Sequence, residues 1–430
     1  MKTELKNLVK ELSWRGMVQD ITPGTEEQLM KELTTGYVGF DPTASSLHIG
    51  SLVPIILLMH LQRCGHKPIA LVGGATGMVG DPSFKSEERN MLDEETLRFN
   101  LAGIQKQLEQ YLNFDASIPN RAEVVNNYDW FKNISFLDFI RDTGKHITVN
   151  YMMAKDSVKK RLEGNNGMSF TEFSYQLIQG YDFYWLNSHK NCKLQLGGSD
   201  QWGNIVTGTE LIRRKSGNEA FALTCPLLKK ADGGKFGKTE AGNIWLDEER
   251  TTPYHFYQFW LNASDSDAEG WIKIFTFLDQ PVINDLVEAH HKDLSQRILQ
   301  KKLAEEVTRL VHGEEKLQAA LETTKRLFSN ADKPITEMSA EDLESMEGIV
   351  KTDFPLANLR QGIDVISFLA ETNIFPSKGE ARKMLQNGGV SINREKITDL
   401  QQGIDEKMLL HGKYLLVQKG KKNYYLVVSL

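Results

Sequence analysis

The sequence predicts an α/β protein whose doubly wound parallel sheet is followed by an all-helical domain and a small α+β domain. Up to about residue 250, short β-type runs alternate with helical patterns, which is typical of a parallel sheet with helices on both faces. Beyond about residue 253 the strand signals fade and apolar residues recur at helical spacing. The C-terminal residues return to short strands around one helix.

A chain of 430 residues is too long for one compact core, so several domains are expected. We predict a first domain over residues 1–250, a helical domain over 251–330, a polar and acidic linker over 331–353, and a small terminal domain over 354–430.

Within the first domain, residues 37–40 and 69–72 are predicted strands, and residues 52–64 and 97–112 are predicted helices. Ligands of parallel sheets bind at the carboxyl ends of the strands. We therefore expect the functional residues in the loops that follow these strands.

In the terminal segment, Ser377 and Glu380 predict a capping box at the start of a short helix, which ends at 387–389. Residues 390–392 predict a strand, and residues 415–428 predict two strands around a lysine-rich turn.

Composition is ordinary for a globular protein, with 40% hydrophobic and 25% charged residues. The longest apolar run, 52–59, is far too short to span a bilayer, and the N-terminal residues predict a surface helix and not a signal peptide. Cys64, Cys192 and Cys225 are widely spaced, so neither a disulfide framework nor a zinc site is expected and a cytoplasmic location fits.

The charge is unevenly distributed. The net charge is −6, yet residues 351–430 carry 12 basic and 8 acidic side chains, so the remainder has a net charge of −10. A basic tail on an acidic body predicts a polyanion contact made by the tail, although an ordinary soluble surface is the alternative.

A first group of functional candidates lies in residues 41–50, between a predicted strand and a predicted helix. Small residues and Gly50 allow close approach of a phosphate to the helix N-terminus, and Thr43 and His48 can donate hydrogen bonds to it. Alternatively, His48 merely caps the helix.

A second group is Lys235-Phe236-Gly237-Lys238-Thr239, in a glycine-rich stretch. Two lysines three residues apart predict a mobile loop that closes over phosphate. The alternative is a solvated charged turn.

Together the two groups resemble the HIGH and KMSKS motifs of class I aminoacyl-tRNA synthetases. The resemblance covers nearly the whole chain and is closest to the bacterial tyrosyl branch. It is carried further by residues 37–43, 73–83, 170–175 and 197–204. The segments 377–382 and 389–393 resemble the small RNA-binding module at the end of such enzymes.

The resemblance implies a Rossmann-like catalytic domain, a helical anticodon-binding domain and a terminal RNA-binding domain. It implies that tyrosine is activated with ATP and then transferred to tRNA(Tyr). It also implies Mg²⁺ with the pyrophosphate, no permanently bound cofactor, no metal held by protein ligands alone, a homodimer, and neither DNA nor membrane as partner.

The resemblance also implies individual roles. Tyr37 and Asp182 bind the tyrosine hydroxyl, and Asp81, Tyr175 and Gln179 hold the ammonium, with Gln201 near the reacting centre. The ATP site comprises Gly39, Asp41, His48, Gly50, Gly198, Asp200 and Lys238. The catalytic set comprises His48, Thr43, Lys235, Lys238 and Thr239, and the tRNA-binding set comprises Arg382, Lys383, Lys421 and Lys422.

The residue types fit these roles. Tyr175, Gln179 and Asp182 have the spacing of one helix face. A phenol needs both a donor and an acceptor, which Tyr37 and an ionised Asp182 supply.

Some positions depart from the family pattern, namely Ser51 at the end of the first motif, Val38 beside the ribose and Phe84 at a common glycine position. Lys85 and Arg89 match basic positions whose contribution stays open.

Three rival functions share parts of this pattern. A tryptophanyl-tRNA synthetase would lack the Tyr37/Asp182 pair. A nucleotidyltransferase would not need the helical and RNA-binding domains, and a non-catalytic RNA-binding relative would lose one of the two motifs.

Overall fold

The computed structural model describes residues 4–81, 83, 93–163, 167–234, 236–239, 242–328, 335, 338–344, 346, 348–420 and 423–430. Of Lys238 and Thr239 only the backbone is described. Six residues named from the sequence lie outside the described residues: Phe84, Lys85, Arg89, Lys235, Lys421 and Lys422.

By packing, the chain divides into two compact units. The first comprises Met1–Leu246 and Glu269–Glu288, and the second comprises Asp247–Ala268 and Ala289–Leu430. The boundaries predicted at 250, 330 and 353 stay a prediction, since they define functional segments and not packing units.

The first unit is built on a six-stranded sheet with the order β1-β6-β5-β2-β3-β4. Its strands are β1 Asp20–Ile21, β2 Thr35–Phe40, β3 Lys67–Val72, β4 Glu123–Asn126, β5 Cys192–Gly198 and β6 Phe221–Cys225. All neighbours are parallel except β1 and β6. The predicted parallel sheet is confirmed, with a two-residue antiparallel strand added at one edge.

The strand order reverses between β2 and β5, which creates a crevice at their carboxyl ends. Both strands are almost wholly buried, because helices cover both faces of the sheet. The predicted strands and helices of this unit are found within a few residues of their expected bounds.

The helices of this unit are α1 Leu8–Trp14, α2 Thr25–Lys31, α3 Ile49–Arg63, α4 Thr76–Val79, α5 Glu94–Tyr111, α6 Tyr128–Phe131, α7 Phe136–Asp142, α8 Val149–Met153, α9 Asp156–Leu162, α10 Phe170–Lys190 and α11 Trp202–Ser216. The hairpin β7 Lys238–Thr239 and β8 Gly242–Asn243 follows. Helix α10 starts at a capping box formed by Ser169 and Glu172, and Arg161 pairs with the same carboxylate.

Four helices form the helical segment that follows: α12 Pro253–Leu261, α13 Asp265–Phe275, α14 Gln280–Lys292 and α15 Ile298–Phe328. Helices α13 and α14 cross the unit boundaries. Helix α15 is interrupted at Gly313, whose φ of +84° is accessible to glycine at little cost.

The C-terminal part contains α16 Ala340–Glu344, β9 Val350–Phe354, α17 Leu356–Gln361, β10 Ile363–Asp364, α18 Val365–Glu371, α19 Lys378–Gln386, β11 Val390–Ile392, β12 Glu395–Lys396, β13 Gly403–Ile404, β14 Tyr414–Lys419 and β15 Asn423–Ser429. Its main sheet has the order β12-β11-β14-β15-β9. Ser377 caps α19 by accepting from the Glu380 N–H, which is one half of the predicted capping box.

The segment predicted as a linker contributes to this sheet. Strand β9 pairs in parallel with β15, so residues 350–353 are part of the folded C-terminal part. Helix α16 is also tied to it, because Glu344 bonds to Tyr414 and Lys413. The polar composition of residues 331–353 gave no sign of these contacts, because they join residues far apart in the sequence.

In the described ranges, no helix is both long and apolar enough to cross a membrane. Cys64, Cys192 and Cys225 are all free and buried.

Candidate active site

A cavity of about 710 Å³ opens at the carboxyl ends of β2 and β5. It gathers residues that are far apart in the sequence and that belong to the predicted tyrosine and ATP sites and to the first motif. Those lining it are Tyr37, Gly39, Asp41, Thr43, His48, Gly50, Asp81, Tyr175, Gln179, Asp182, Gly198, Asp200 and Gln201. Ser51 and Val38, the two described departures from the family pattern, also line it.

Tyr37 and Asp182 form one end of this cavity. The Tyr37 hydroxyl is buried and has no hydrogen-bond partner among the described residues. Asp182 accepts hydrogen bonds from Asn127 Nδ2 at 3.0 Å and from Trp130 Nε1 at 2.9 Å. An unpartnered buried hydroxyl beside a buried carboxyl is a site that a ligand hydroxyl can complete.

Burial changes the ionisation that was expected for Asp182. Burial raises the pKa of this carboxyl to about 8, although the bonds from Asn127 and Trp130 lower it. At neutral pH this shift favours the protonated form of the carboxyl. An ionised carboxylate was expected because burial cannot be read from residue spacing.

A chain of hydrogen bonds joins Asp182 to the middle of the cavity. Asn127 also donates to Thr76 Oγ1 at 3.1 Å, and Thr76 Oγ1 donates to Asp41 Oδ1 at 3.0 Å. Tyr175 donates to Asp41 Oδ2 at 3.2 Å. Asp41, which the sequence analysis assigned to ATP, is thus also the acceptor that orients Tyr175.

The group expected to hold an ammonium is assembled next to Tyr175. Gln179 Oε1 is buried without a partner among the described residues. Gln201 Nε2 donates to Asp81 Oδ2 at 2.7 Å and to Asp200 Oδ2 at 3.2 Å. Burial, with Asp81 nearby, raises the pKa of Asp200. Two carboxyl groups and an amide oxygen give this region the acceptors that a cation needs.

His48 is the N-cap of α3, and its Nδ1 accepts a hydrogen bond from the Gly50 N–H at 3.0 Å. The capping interpretation is therefore correct, but it does not exclude a role at phosphate. Because Nδ1 is an acceptor, the neutral ring carries its proton on Nε2, as a phosphate donor requires. A Cβ at position 50 would lie 2.7 Å from the ring, so only glycine leaves the ring in place.

The second motif lies against the first. A Cβ at Gly237 would be 3.0 Å from Ile49 Cγ1, and the φ of +81° favours glycine. The ring of Phe236 stacks on Phe275 at 5.3 Å and meets the edge of Trp271 at 4.9 Å. The backbone of Lys238 and Thr239 forms β7, which begins next to this contact.

Four residues of the site were not found from the sequence, namely Thr76, Asn127, Trp130 and Gln195. Asn127 follows directly on β4, so a polar residue at a strand end was an available signal. Gln195 lies within β5 and lines the cavity, and its Oε1 has no partner in the described part of the chain. A single glutamine inside a strand gives no comparable signal.

The predicted tRNA contacts lie on the C-terminal part. Arg382 and Lys383 are exposed on α19. Lys419, which precedes the lysine-rich turn, is only half exposed, because its ammonium donates to the Ile374 carbonyl at 3.0 Å and lies over the Phe375 ring.

Comparison with known proteins identifies relatives of both parts. The model of the family described as "tRNA synthetases class I (W and Y)" matches residues 30–329. The model described as "Tyrosine--tRNA ligase SYY-like C-terminal domain" matches residues 345–427.

Named relatives match over the full length. A tyrosine–tRNA ligase of Bacteroides fragilis is 60% identical over 428 residues, which cover 98% of this chain and 100% of the relative. That of Porphyromonas gingivalis is 59% identical over 430 residues, covering 98% and 99%. Among solved structures, a C-terminally truncated mitochondrial tyrosyl-tRNA synthetase of Aspergillus nidulans has a TM-score of 0.68 at 30% identity, covering 75% of this chain and 94% of that one.

Proposed function

Because this chain belongs to the bacterial tyrosyl-tRNA synthetases of class I, we propose a role for each group of residues around its cavity. The chain activates L-tyrosine with ATP to tyrosyl-adenylate and pyrophosphate, and then transfers the tyrosyl group to the 3′ end of tRNA(Tyr). The observation that carries the residue assignment is the buried, unpartnered Tyr37 hydroxyl beside Asp182.

Tyrosine lies with its hydroxyl between Tyr37 and Asp182. Its ammonium is held by Asp81, Tyr175 and the Gln179 amide oxygen, which line the same cavity. This orientation is supported by the positions of the acceptors, since the phenol and ammonium groups are at opposite ends of the amino acid. A tryptophan side chain offers no hydroxyl to this pair, which disfavours the tryptophanyl alternative.

Adenylate formation needs no protein base, because the tyrosine carboxylate is already ionised at neutral pH when it attacks the α-phosphorus of ATP. The rate then depends on positioning and on stabilising charge in the transition state. His48 Nε2–H and the Thr43 hydroxyl are the fixed donors. One such donor stabilises a transition state by about 3 kcal/mol. Lys235, Lys238 and Thr239 supply further donors by resemblance to the family.

ATP is a substrate. Its nucleoside lies against four residues at the strand ends, namely Gly39, Asp41, Gly198 and Asp200. Gly50 lets the phosphates approach the start of α3. We propose that Mg²⁺ accompanies the pyrophosphate. Within the described residues no three His, Cys, Asp or Glu side chains are grouped as metal ligands. In nucleotide sites Mg²⁺ is commonly bound through phosphate oxygens and water with few protein ligands.

The remaining segments bind tRNA(Tyr). The helical segment 251–330 binds the anticodon region, and residues 354–430 add the basic surface that includes Arg382 and Lys383. Their exposure on α19 and the excess of basic residues after residue 350 support this role. Lys421 and Lys422 belong to the same proposal by resemblance.

The active form is a homodimer in the cytoplasm. Phe136, Leu137, Val149 and Phe170 are more than half exposed around an apolar groove of about 660 Å³. Exposed apolar side chains that cluster in this way are typical of interaction surfaces, and a second copy would cover them. The three free, buried cysteines fit a reducing compartment.

ATP–pyrophosphate exchange with each amino acid in turn tests the assignment of the cavity. Tyrosine alone should support rapid exchange, with phenylalanine far slower and tryptophan inactive. Comparable exchange with tryptophan or phenylalanine would contradict the proposed hydroxyl site.

A further inference from the structure

Three rings form a continuous stack from the protein surface to the tyrosine cavity. The His189 ring lies 4.4 Å from the Trp185 ring and 13° from parallel. The Trp185 ring lies 4.2 Å from the Trp130 ring and 12° from parallel. His189 and Trp185 are four residues apart on α10, so they share one helix face, and His189 Nδ1 is 2.9 Å from the Trp185 carbonyl oxygen.

The inner ring of the stack touches the recognition site. Trp130 is buried, and its Nε1–H donates to Asp182 Oδ1 at 2.9 Å. Trp130 belongs to α6, which has only four residues and cannot by itself fix the direction of a large side chain. The plane of its indole is therefore set by the rings packed against it.

Trp185 is the residue in position to set that plane. It packs against the core cluster that contains Tyr37, Trp130 and Phe183. A face-to-face neighbour at 4.2 Å prevents Trp130 from rotating about the bond to its ring. With Asn127 holding the other oxygen of Asp182, both oxygens of this carboxyl have a fixed donor.

We propose that Trp185 is a positioning residue for tyrosine recognition, which holds the Trp130 indole so that its N–H keeps Asp182 aligned with the substrate hydroxyl. His189 covers the outer face of Trp185 and limits its motion. The proposal rests on the proposed role of Tyr37 and Asp182 as the hydroxyl-binding pair. No atom of Trp185 needs to contact tyrosine.

Replacement of Trp185 by leucine keeps an apolar side chain and removes the stacked ring. Stacked aromatic pairs contribute an amount equivalent to about 2- to 10-fold in an equilibrium constant. We expect Trp185→Leu to raise KM for tyrosine in ATP–pyrophosphate exchange by about 2- to 10-fold, with kcat little changed. Exchange with phenylalanine, which has no hydroxyl, should be unaffected, so the tyrosine preference falls.

Two further variants separate positioning from general packing. Trp185→Phe keeps a stacked ring and should recover most of the tyrosine affinity. Tyr184→Leu removes the neighbouring half-buried ring of α10, which contacts Tyr181 and Lys215 and is not in the stack. This matched control should leave both substrates unchanged.

A double-mutant cycle tests whether the effect passes through the indole N–H. Trp130→Phe keeps a ring but cannot donate to Asp182. If Trp185 acts through this bond, Trp185→Leu should have little further effect in the Trp130→Phe background. A full additional loss there, or an equal loss for tyrosine and phenylalanine, would overturn the proposal in favour of a structural role.

Other outcomes are also decisive. If Trp185→Leu does not fold, His189→Ala replaces it in the test, because this substitution removes only an exposed ring. An unchanged KM for tyrosine in His189→Ala would then overturn the proposal. Asp182→Ala distinguishes the two levels of inference. If Asp182→Ala loses the tyrosine preference while Trp185→Leu keeps it, only the role of Trp185 fails. If Asp182→Ala keeps the preference, the hydroxyl assignment fails first.

Discussion

Asp182→Ala removes the carboxyl of the hydroxyl-binding pair and should reduce activity toward tyrosine while sparing phenylalanine. Asp182 is buried and lines the cavity beside Tyr37, whose hydroxyl has no partner among the described residues. The variant leaves the tyrosine hydroxyl with one protein partner instead of two. Phenylalanine loses nothing, because it has no hydroxyl to bind.

The size of the effect follows from the bond that is lost. Above about pH 8, where the Asp182 carboxyl is ionised, a hydrogen bond to this charged group contributes about 1.5–3 kcal/mol, which is roughly 10- to 150-fold in kcat/KM for tyrosine. The family itself is the reference case for hydroxyl-dependent discrimination, at ~10⁵-fold for tyrosine over phenylalanine, and that size is adopted from the family. Asp182→Ala should thus remove part of this preference, since Tyr37 remains.

The fold should survive this substitution. Trp130 Nε1–H and one N–H of Asn127 Nδ2 lose their acceptor, and each unsatisfied buried donor costs about 1–3 kcal/mol. The loss is partly offset, because burial disfavours the ionised carboxyl that is removed, as its raised pKa shows. The free energy of unfolding, measured by urea denaturation, should therefore fall by less than about 6 kcal/mol, the upper sum for two such donors.

The assay is ATP–pyrophosphate exchange with tyrosine and with phenylalanine over a range of concentrations. Asp129→Ala is a matched control, since it removes an exposed carboxylate from α6 next to Trp130. A wild-type ratio of the two kcat/KM values in the Asp182→Ala enzyme would refute the reasoning.

Three further outcomes are expected. Burial raises the pKa of Asp182 to about 8, so the carboxyl holds its proton at lower pH and loses it as the pH rises through that value. Tyrosine affinity, measured by equilibrium dialysis, should therefore increase from about pH 6 to about pH 8, by less than tenfold per pH unit. A flat pH profile, or the same profile in Asp182→Asn, would contradict this prediction. Lys238→Ala should slow adenylate formation in rapid-quench experiments with little change in tyrosine affinity, since its ammonium meets pyrophosphate mainly in the transition state; an unchanged adenylation rate is the contrary result. A chain ending at Phe328 should form tyrosyl-adenylate but charge tRNA poorly, and equal loss of exchange and aminoacylation would show that the removed part supports the catalytic unit.

The position of that cut shows how structure changes a prediction made from sequence. The polar, acidic composition of 331–353 predicted a linker, so a cut at its end near residue 353 would be expected to expose little core. Strand β9 pairs with β15 across that point, so such a cut would leave an unpaired strand on the remaining chain. An end at Phe328 removes α16 and the whole C-terminal sheet together, and it breaks the edge contact of the Phe328 ring with Tyr424 and the bond from Arg394 to the Leu327 carbonyl.

The sequence by itself determined the α/β class, the main strands and helices around the cavity, and the identity of most cavity residues. Local patterns sufficed for these predictions, because strand periodicity, helix caps and the two signature motifs each involve only a few neighbouring residues. Tyr175, Gln179 and Asp182 could be placed on one face by spacing alone, and they line one cavity as expected.

Only the tertiary structure decided the pKa of Asp182 and the residues that donate hydrogen bonds to it. Its raised pKa results from complete burial, and its donors Asn127 and Trp130 are more than 50 residues away in the chain. The stack of Trp130 on Trp185 likewise joins two helices that no local pattern connects. Burial and hydrogen-bond partners are properties of the packed molecule. The sequence therefore predicted which residues lie at this site, whereas the folded structure determines their pKa values and hydrogen bonds.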